Sequence, residues 1–184
     1  MIYQLKWQSP EYHSTEDCRV EITPDIIKIS SQIRGRSDGK DFAANYTIIT
    51  GGSWKTIKTE IVTLINNKET SLVLEAGAGT NWLLNGQPAP QLCGCIDIDI
   101  PLTPFTNSLP INRLRLREGE THQIKVLYID LLEDEISAKF QQYRKLSHDQ
   151  YYYQNVPNDF EAMITVDENG FVINYPGLFS RIQE

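Results

Sequence analysis

Short segments that favour β-strands, separated by turn signals, run through most of the chain. Residues 54–65 are one example, because most of their side chains are β-branched and such side chains favour extended backbone. Residues 160–175 are another, because Asn169-Gly170 separates two apolar runs and is typical of a hairpin turn. We count about fourteen such strands, and find neither a long amphipathic helix nor a strand–helix–strand rhythm. This pattern predicts an all-β sandwich or barrel with little or no helix.

Composition limits the partners and the compartment. A chain of 184 residues is the size of one domain, which we place over residues 1–184. The net charge of −7 argues against nucleic acid and against anionic membrane surfaces as partners. No run is long and apolar enough for a transmembrane segment, and the first ten residues lack the apolar core of a signal peptide. We therefore expect a cytoplasmic protein; the sequence does not define an oligomeric state.

The central stretch of residues 92–116 carries the most chemistry. Residues 94–100 alternate strictly, which predicts a strand with an isoleucine face and a second face bearing Asp97 and Asp99. Residues 111–116 also alternate, which puts Arg113 and Arg115 on one face of a second strand. If the two strands pair as a wide hairpin, carboxylates and guanidinium groups share one surface. The intervening loop, residues 101–110, is rich in hydroxyl and amide groups and includes an exposed-looking Phe105.

Two aspartates on one strand face also leave a catalytic interpretation open. Strand geometry separates the carboxyl groups of Asp97 and Asp99 by roughly 6.5–7 Å, close to the spacing used by inverting glycosidases. Neighbouring arginines would hold both groups ionised, however, so we assign no catalytic residue. We also expect no metal and no cofactor, because Cys93 and Cys95 are accompanied only by scattered histidines and no phosphate-binding loop is present.

The same stretch resembles a known bacterial family. The resemblance rests on Gly94-Cys95-Ile96-Asp97-Ile98-Asp99, on residues 103–110, on Arg113-Leu114 and on Tyr175-Pro176-Gly177-Leu178-Phe179. These segments are similar to those of the glycolipid-binding domain family, formerly a domain of unknown function, and the likeness spans nearly the whole chain. The resemblance implies a single antiparallel, barrel-like sheet that is partly open, and it implies a glycolipid as the ligand.

Together these observations predict a protein that binds an amphiphilic small molecule in a cavity with a polar floor. Sugar hydroxyl groups would contact polar side chains, and ring faces would contact aromatic ones. The expected ligand-binding residues are Asp97, Asp99, Arg113 and Arg115 in the floor, Thr106 and Asn107 in the loop, and Trp82 and Tyr175 beside turns at the mouth. Two alternatives stay open: a hydrolase of a glycosidic or ester bond using Asp97 or Asp99, and a structural or partner-binding domain without a ligand.

Overall fold

The computed structural model describes residues 1–182, whose strands form one large sheet. The strands are β1 (Ile2–Ser9), β2 (Ser14–Ile22), β3 (Ile26–Ser37), β4 (Lys40–Gly51), β5 (Thr56–Ile65), β6 (Lys68–Ala76), β7 (Trp82–Leu84), β8 (Gln87–Pro88), β9 (Asp97–Asp99), β10 (Thr121–Asp130), β11 (Glu135–Lys145), β12 (Gln150–Val156), β13 (Glu161–Val166), β14 (Val172–Tyr175) and β15 (Phe179–Arg181). A short 3₁₀ helix (Pro90–Leu92) and one α-helix, α1 (Phe105–Leu114), complete the fold.

The strand order shows how the chain builds this sheet. It runs β8-β7-β6-β5-β4-β3-β2-β1-β15-β14-β13-β12-β11-β10-β9, so β1 joins the two halves by pairing with both β2 and β15. Within the described part of the chain, β9 and β10 form the one parallel pair, and the other neighbours are antiparallel. The sheet is not closed, because β8 and β9 stand at its two ends. The predicted all-β class and single, partly open sheet are confirmed.

The side chains inside the sheet form two hydrophobic clusters. The first lies mainly within β1 to β7 and includes Trp7 and Phe171. The second lies mainly within β10 to β15 and includes Ile111 of α1. Strand β10 contributes to both, because its successive side chains point to opposite faces. Val126 belongs to the second cluster, whereas Leu127 and Ile129 belong to the first.

Helix α1 corrects the prediction of a loop followed by a strand over residues 101–116. Its residues from Phe105 to Ile111 are all buried, so the helix has no polar stripe that would reveal a helical period. Pro110, which normally disfavours a helix interior, lies inside it. The helix ends at Arg115, whose φ of 50° is left-handed and whose N–H donates to the carbonyl of Ile111. No helix within residues 1–182 is long and apolar enough to cross a membrane.

Candidate functional site

Asp97 and Arg113 form a buried, two-pronged ion pair. Asp97 lies on β9 and has no exposed surface. Its Oδ1 accepts a hydrogen bond from Arg113 Nε at 2.9 Å, and its Oδ2 accepts one from Nη2 at 2.6 Å. Burial raises the pKa of Asp97, while the Arg113 guanidinium opposes that rise. Because Arg113 lies on α1, the partner reaches the aspartate from a helix and not from the predicted neighbouring strand.

Asp99 has different surroundings, although it lies only two residues further along β9. Its Oδ2 accepts a hydrogen bond from Gln141 Nε2 at 2.6 Å, and its Oδ1 accepts one from Thr106 Oγ1 at 3.3 Å. Among residues 1–182 no cationic group lies within ion-pair distance of this carboxylate. Burial raises the pKa of Asp99, and the hydrogen bonds from Gln141 and Thr106 oppose that rise, as does the positive charge of Lys139.

Asp99 lines a cavity of about 320 Å³ on the inner face of the second half of the sheet. We call it the tyrosine cavity. Its lining residues are Glu11, Tyr12, Asp99, Pro101, Thr103, Asn107, Tyr128, Tyr153, Asn155, Phe160, Tyr175, Leu178 and Phe179. The rings contact one another at their edges, with centroids 6.1 Å apart for Tyr153 and Tyr175 and 6.2 Å apart for Phe160 and Tyr175. The cavity therefore combines flat apolar walls with a carboxylate, hydroxyl groups and amides.

Hydrogen bonds hold the polar side of the tyrosine cavity in place. Asn107, on the first turn of α1, accepts a hydrogen bond at its Oδ1 from the Tyr143 hydroxyl at 2.8 Å. Burial raises the pKa of Tyr12 to about 12, and it also raises the pKa values of Tyr153 and Tyr175. These hydroxyl groups are therefore neutral near pH 7 and can both donate and accept hydrogen bonds.

The structure brings part of the predicted site together. Asp99, Asn107 and Tyr175 line the tyrosine cavity. Thr106 lies directly behind it and donates to Asp99. Asp97 and Arg113 form an ion pair, but neither residue lines the cavity.

Two other candidates lie elsewhere. Arg115 is exposed at the end of α1, away from either aspartate, because the helix directs it to solvent. The expected face of several paired carboxylates and guanidinium groups is therefore wrong, and one such pair exists among the described residues of β9 and α1. Trp82 is only 3% exposed, and its indole N–H donates to the carbonyl of Cys95 at 3.0 Å. Its position beside a turn therefore does not place it at the mouth of the tyrosine cavity.

Phe105 was expected to be exposed, and the structure shows the opposite. It is fully buried, with its ring centroid 6.4 Å from that of Trp7 and 5.9 Å from that of Phe171. Phe105 therefore anchors the start of α1 in the first hydrophobic cluster instead of presenting a ring to a ligand.

Several residues of the site were not identified from sequence. Gln141, Tyr12 and Tyr128 lie on β11, on the β1–β2 turn and on β10, far apart along the chain. The alternation of β10 does predict that Tyr128 shares a face with Ile124 and Val126, but no local pattern indicates which sheet face encloses a cavity.

Glu16 is the second important group that sequence reasoning missed. It is 3% exposed, and its Oε1 accepts hydrogen bonds from Ser31 at 2.6 Å, Tyr46 at 2.7 Å and Thr103 at 2.9 Å. Burial raises its pKa to about 7, against the lowering effect of these hydrogen bonds. The other oxygen, Oε2, has no partner within the described residues. Thr103 also lines the tyrosine cavity, so Glu16 lies one hydrogen bond behind it.

Comparisons with known proteins agree with this architecture. The model of the family described as "Putative glycolipid-binding" matches residues 4–181. Among solved structures, a DUF1089 family protein from Pseudomonas aeruginosa superposes with a TM-score of 0.85 at 33% sequence identity. The match covers 96% of this chain and 95% of that one. No curated protein matches the chain.

Proposed function

Because the chain belongs to this glycolipid-binding family, we propose that it binds an amphiphilic small molecule, a glycolipid, with the headgroup inside the tyrosine cavity. The observation that carries the proposal is the lining itself, in which aromatic rings stand beside Asp99 and Asn107. Ring faces suit the apolar faces of a sugar, and the carboxylate and amide suit its hydroxyl groups. The proposed floor consists of Asp99, Asn107 and, through Asp99, Thr106.

The size of the cavity limits how much of a glycolipid it can hold. Its volume of about 320 Å³ is near the lower end of the roughly 300–1,000 Å³ typical of small-molecule sites. This space suits a compact headgroup and leaves no room for acyl chains. The apolar part of the ligand would therefore lie outside, against apolar side chains at the rim.

Phe160 is the rim residue best suited to contact that apolar part. It lines the cavity, yet it is 36% exposed, so one part of its ring meets the headgroup space and another part meets solvent. Leu178, also half-buried, lines the same cavity. An alkyl chain leaving the cavity would cover these side chains and gain roughly 25 cal/mol for each Å² of apolar surface removed from water.

A short-chain glycoside tests the proposal with both parts of the ligand present. Octyl glucoside, titrated below its micelle concentration and followed by amide chemical shifts, should bind saturably and shift Asn107, Tyr153 and Tyr175. Phe160→Ser should weaken binding several-fold because it removes apolar contact at the rim. Met163→Ser is the matched control, since Met163 is 46% exposed and does not line the cavity. Absence of saturable binding, or equal weakening by both substitutions, would contradict the proposal.

Hydrolysis of a glycosidic or ester bond is the second candidate, and the raised pKa of Asp99 favours it. A carboxyl group with a raised pKa in a partly apolar cavity can act as a general acid. Glu11 lines the same cavity and would be the second carboxyl group, because Asp97 is held by Arg113. Turnover of nitrophenyl glycosides or esters that disappears in Asp99→Asn would support this candidate. Binding of octyl glucoside without turnover of any such substrate would exclude it for these substrate classes.

A further inference from the structure

The ionisable groups that line the tyrosine cavity are of one sign. Its lining contains two carboxyl groups, Glu11 and Asp99, and no Lys, Arg or His among the described residues. The remaining polar groups are neutral hydroxyls and amides. A phosphate, sulfate or carboxylate placed in this cavity would meet negative charge without a cation in the lining, which is unfavourable away from bulk water. The cation that acts on Asp99, Lys139, lies outside the lining and is paired with Glu135.

The two aspartates of β9 differ in the groups that compensate their negative charge. The protein neutralises Asp97 with a bidentate arginine, outside the cavity. The carboxylate that lines the cavity, Asp99, receives only neutral donors, from Gln141 and Thr106. Two oxygens with one hydrogen bond each retain capacity to accept more. Asp99 is half-buried and has no ion-pair partner within the part of the chain that the structure describes, since Lys139 acts on it only from beyond ion-pair distance. A cationic ligand group would therefore supply what Asp97 receives from Arg113.

The walls of the cavity favour the same kind of ligand group. Six aromatic rings line it, from Tyr12, Tyr128, Tyr153, Phe160, Tyr175 and Phe179. The face of an aromatic ring attracts cations, and cages of such rings are used to bind organic ammonium groups. One ring already makes this contact, because Lys139 Nζ lies 3.5 Å from the centroid of Tyr128. That ammonium group also lies 3.4 Å from Glu135, and it does not line the cavity.

We propose that the headgroup bound in the tyrosine cavity carries an organic cation, either a protonated amine or a quaternary ammonium group, which lies between the aromatic walls and Asp99. This inference rests on the proposed function and specifies its ligand class. An amino sugar and a choline-type headgroup share this chemistry. The cavity distinguishes both from neutral sugars by charge and from simple anionic headgroups by the sign of that charge.

Pairs of probes that differ in charge but little in shape test the inference. Choline and its neutral carbon isostere 3,3-dimethylbutan-1-ol form one pair, and glucosamine and glucose form the other. Near pH 7 and at low ionic strength, we expect the cationic member of at least one pair to bind about tenfold more tightly than its neutral partner. Preference within the choline pair indicates a quaternary ammonium ligand, and preference confined to the glucosamine pair indicates an amino sugar.

Two substitutions and a pH series identify the group responsible. Asp99→Asn should remove the preference for the cation, whereas Asp38→Asn, the same change at the exposed β3–β4 turn, should retain it. Choline keeps its charge at every pH, so its preference should shrink on acidification as Asp99, whose pKa is raised by burial, takes up a proton. This series uses the unsubstituted protein, so it tests whether a carboxylate of the lining, Asp99 or Glu11, is required even if Asp99→Asn does not fold.

The outcomes separate this inference from the function on which it rests. Binding of octyl glucoside together with equal binding of charged and neutral probes would overturn the cation and leave the glycolipid proposal standing. A cation preference that survives both acidification and Asp99→Asn would overturn the role of Asp99. Failure of the glycoside to bind would overturn the glycolipid proposal, and failure of both probe pairs as well would overturn the cation inference.

Discussion

At the scale of single residues, Asp97 and Asp99 show how position decides the role of a carboxylate. They are two residues apart on β9, yet one meets a guanidinium group and the other meets a cavity. A bidentate buried pair contributes little net stability relative to an apolar pair of the same shape, but removing one partner leaves an uncompensated charge. The pair of Asp97 and Arg113 should therefore be sensitive to single substitutions and much less sensitive to a double one.

Arg113→Met tests this asymmetry. We expect it to lower the free energy of unfolding by about 3–5 kcal/mol, because Asp97 then stays buried without a cation. Arg115→Met is the control, since Arg115 is exposed, and its cost should stay within about 0.5 kcal/mol. The double variant Asp97→Leu with Arg113→Met should be more stable than Arg113→Met alone. Equal costs for the two arginine substitutions in urea unfolding would refute the buried-pair assignment.

Glu16 is the other residue with a measurable effect, because it makes the stability of the fold depend on pH. Its pKa rises from 4.5 to about 7 on folding, so in this window the folded state holds a proton that the unfolded state has lost. The contribution of Glu16 to stability is therefore fully present below about pH 4.5. It declines as the pH rises towards 7 and is constant above that.

Comparison with Glu16→Gln isolates this contribution, because glutamine keeps the shape and does not titrate. The free energy of unfolding of the unsubstituted protein, minus that of the variant, should fall by about 3 kcal/mol between pH 4 and pH 8. Denaturant unfolding at a series of pH values measures it. A difference that is constant over this range would show that the pKa of Glu16 is not raised by folding.

At the scale of elements, the β13–β14 turn and helix α1 meet at one close contact. Gly170 has a φ of 74°, and a Cβ built there would lie 2.6 Å from Asn112 Nδ2. Gly39, in the β3–β4 turn, has a nearly equal φ of 75° and open space around it. Both glycines adopt a left-handed backbone conformation, and only Gly170 is also in close contact with helix α1.

Alanine substitutions at the two glycines separate these effects. Gly39→Ala should cost about 1–2 kcal/mol, the cost of a left-handed alanine. Gly170→Ala should cost more, because the methyl group also displaces Asn112 from its hydrogen bond to the Ser108 carbonyl. Adding Asn112→Ala to Gly170→Ala should recover part of the difference. Equal costs at the two positions in thermal unfolding would mean that α1 does not press against the turn.

The elements differ in how far sequence predicts them. The hairpin turn at Asn169-Gly170 was predicted, because the positive φ of Gly170 is a local requirement that Asn-Gly satisfies. Helix α1 was not predicted, because its residues Phe105–Ile111 are enclosed on every side and its Pro110 argues for a loop. Arg113 and Arg115 do alternate with apolar residues in the sequence. In the structure, however, they lie at the end of a helix, so their alternation does not indicate a strand.

At the scale of the whole molecule, the open sheet that residues 1–182 form encloses two hydrophobic clusters, and the tyrosine cavity lies against the second. The all-β class follows from turn signals along the chain, and the single, partly open sheet is what the family resemblance implies. The cavity follows from neither, because Tyr12, Tyr128 and Tyr175 come from segments far apart in sequence and meet only after the sheet curves. Asp99, Asn107 and Tyr175 could be proposed because they lie in segments that resemble the family. Gln141 could be identified only from the pairing register of β10 and β11.

Native mass spectrometry of the protein purified from its own host, followed by solvent extraction, is the most direct test that this cavity holds an amphiphile. We predict a stoichiometric adduct that solvent releases as a lipid bearing a sugar or an ammonium headgroup. The adduct should persist in Met163→Ser and be reduced in Phe160→Ser, with both variants folded. A protein that has only its apo mass, and keeps it after incubation with a host lipid extract, would contradict the account.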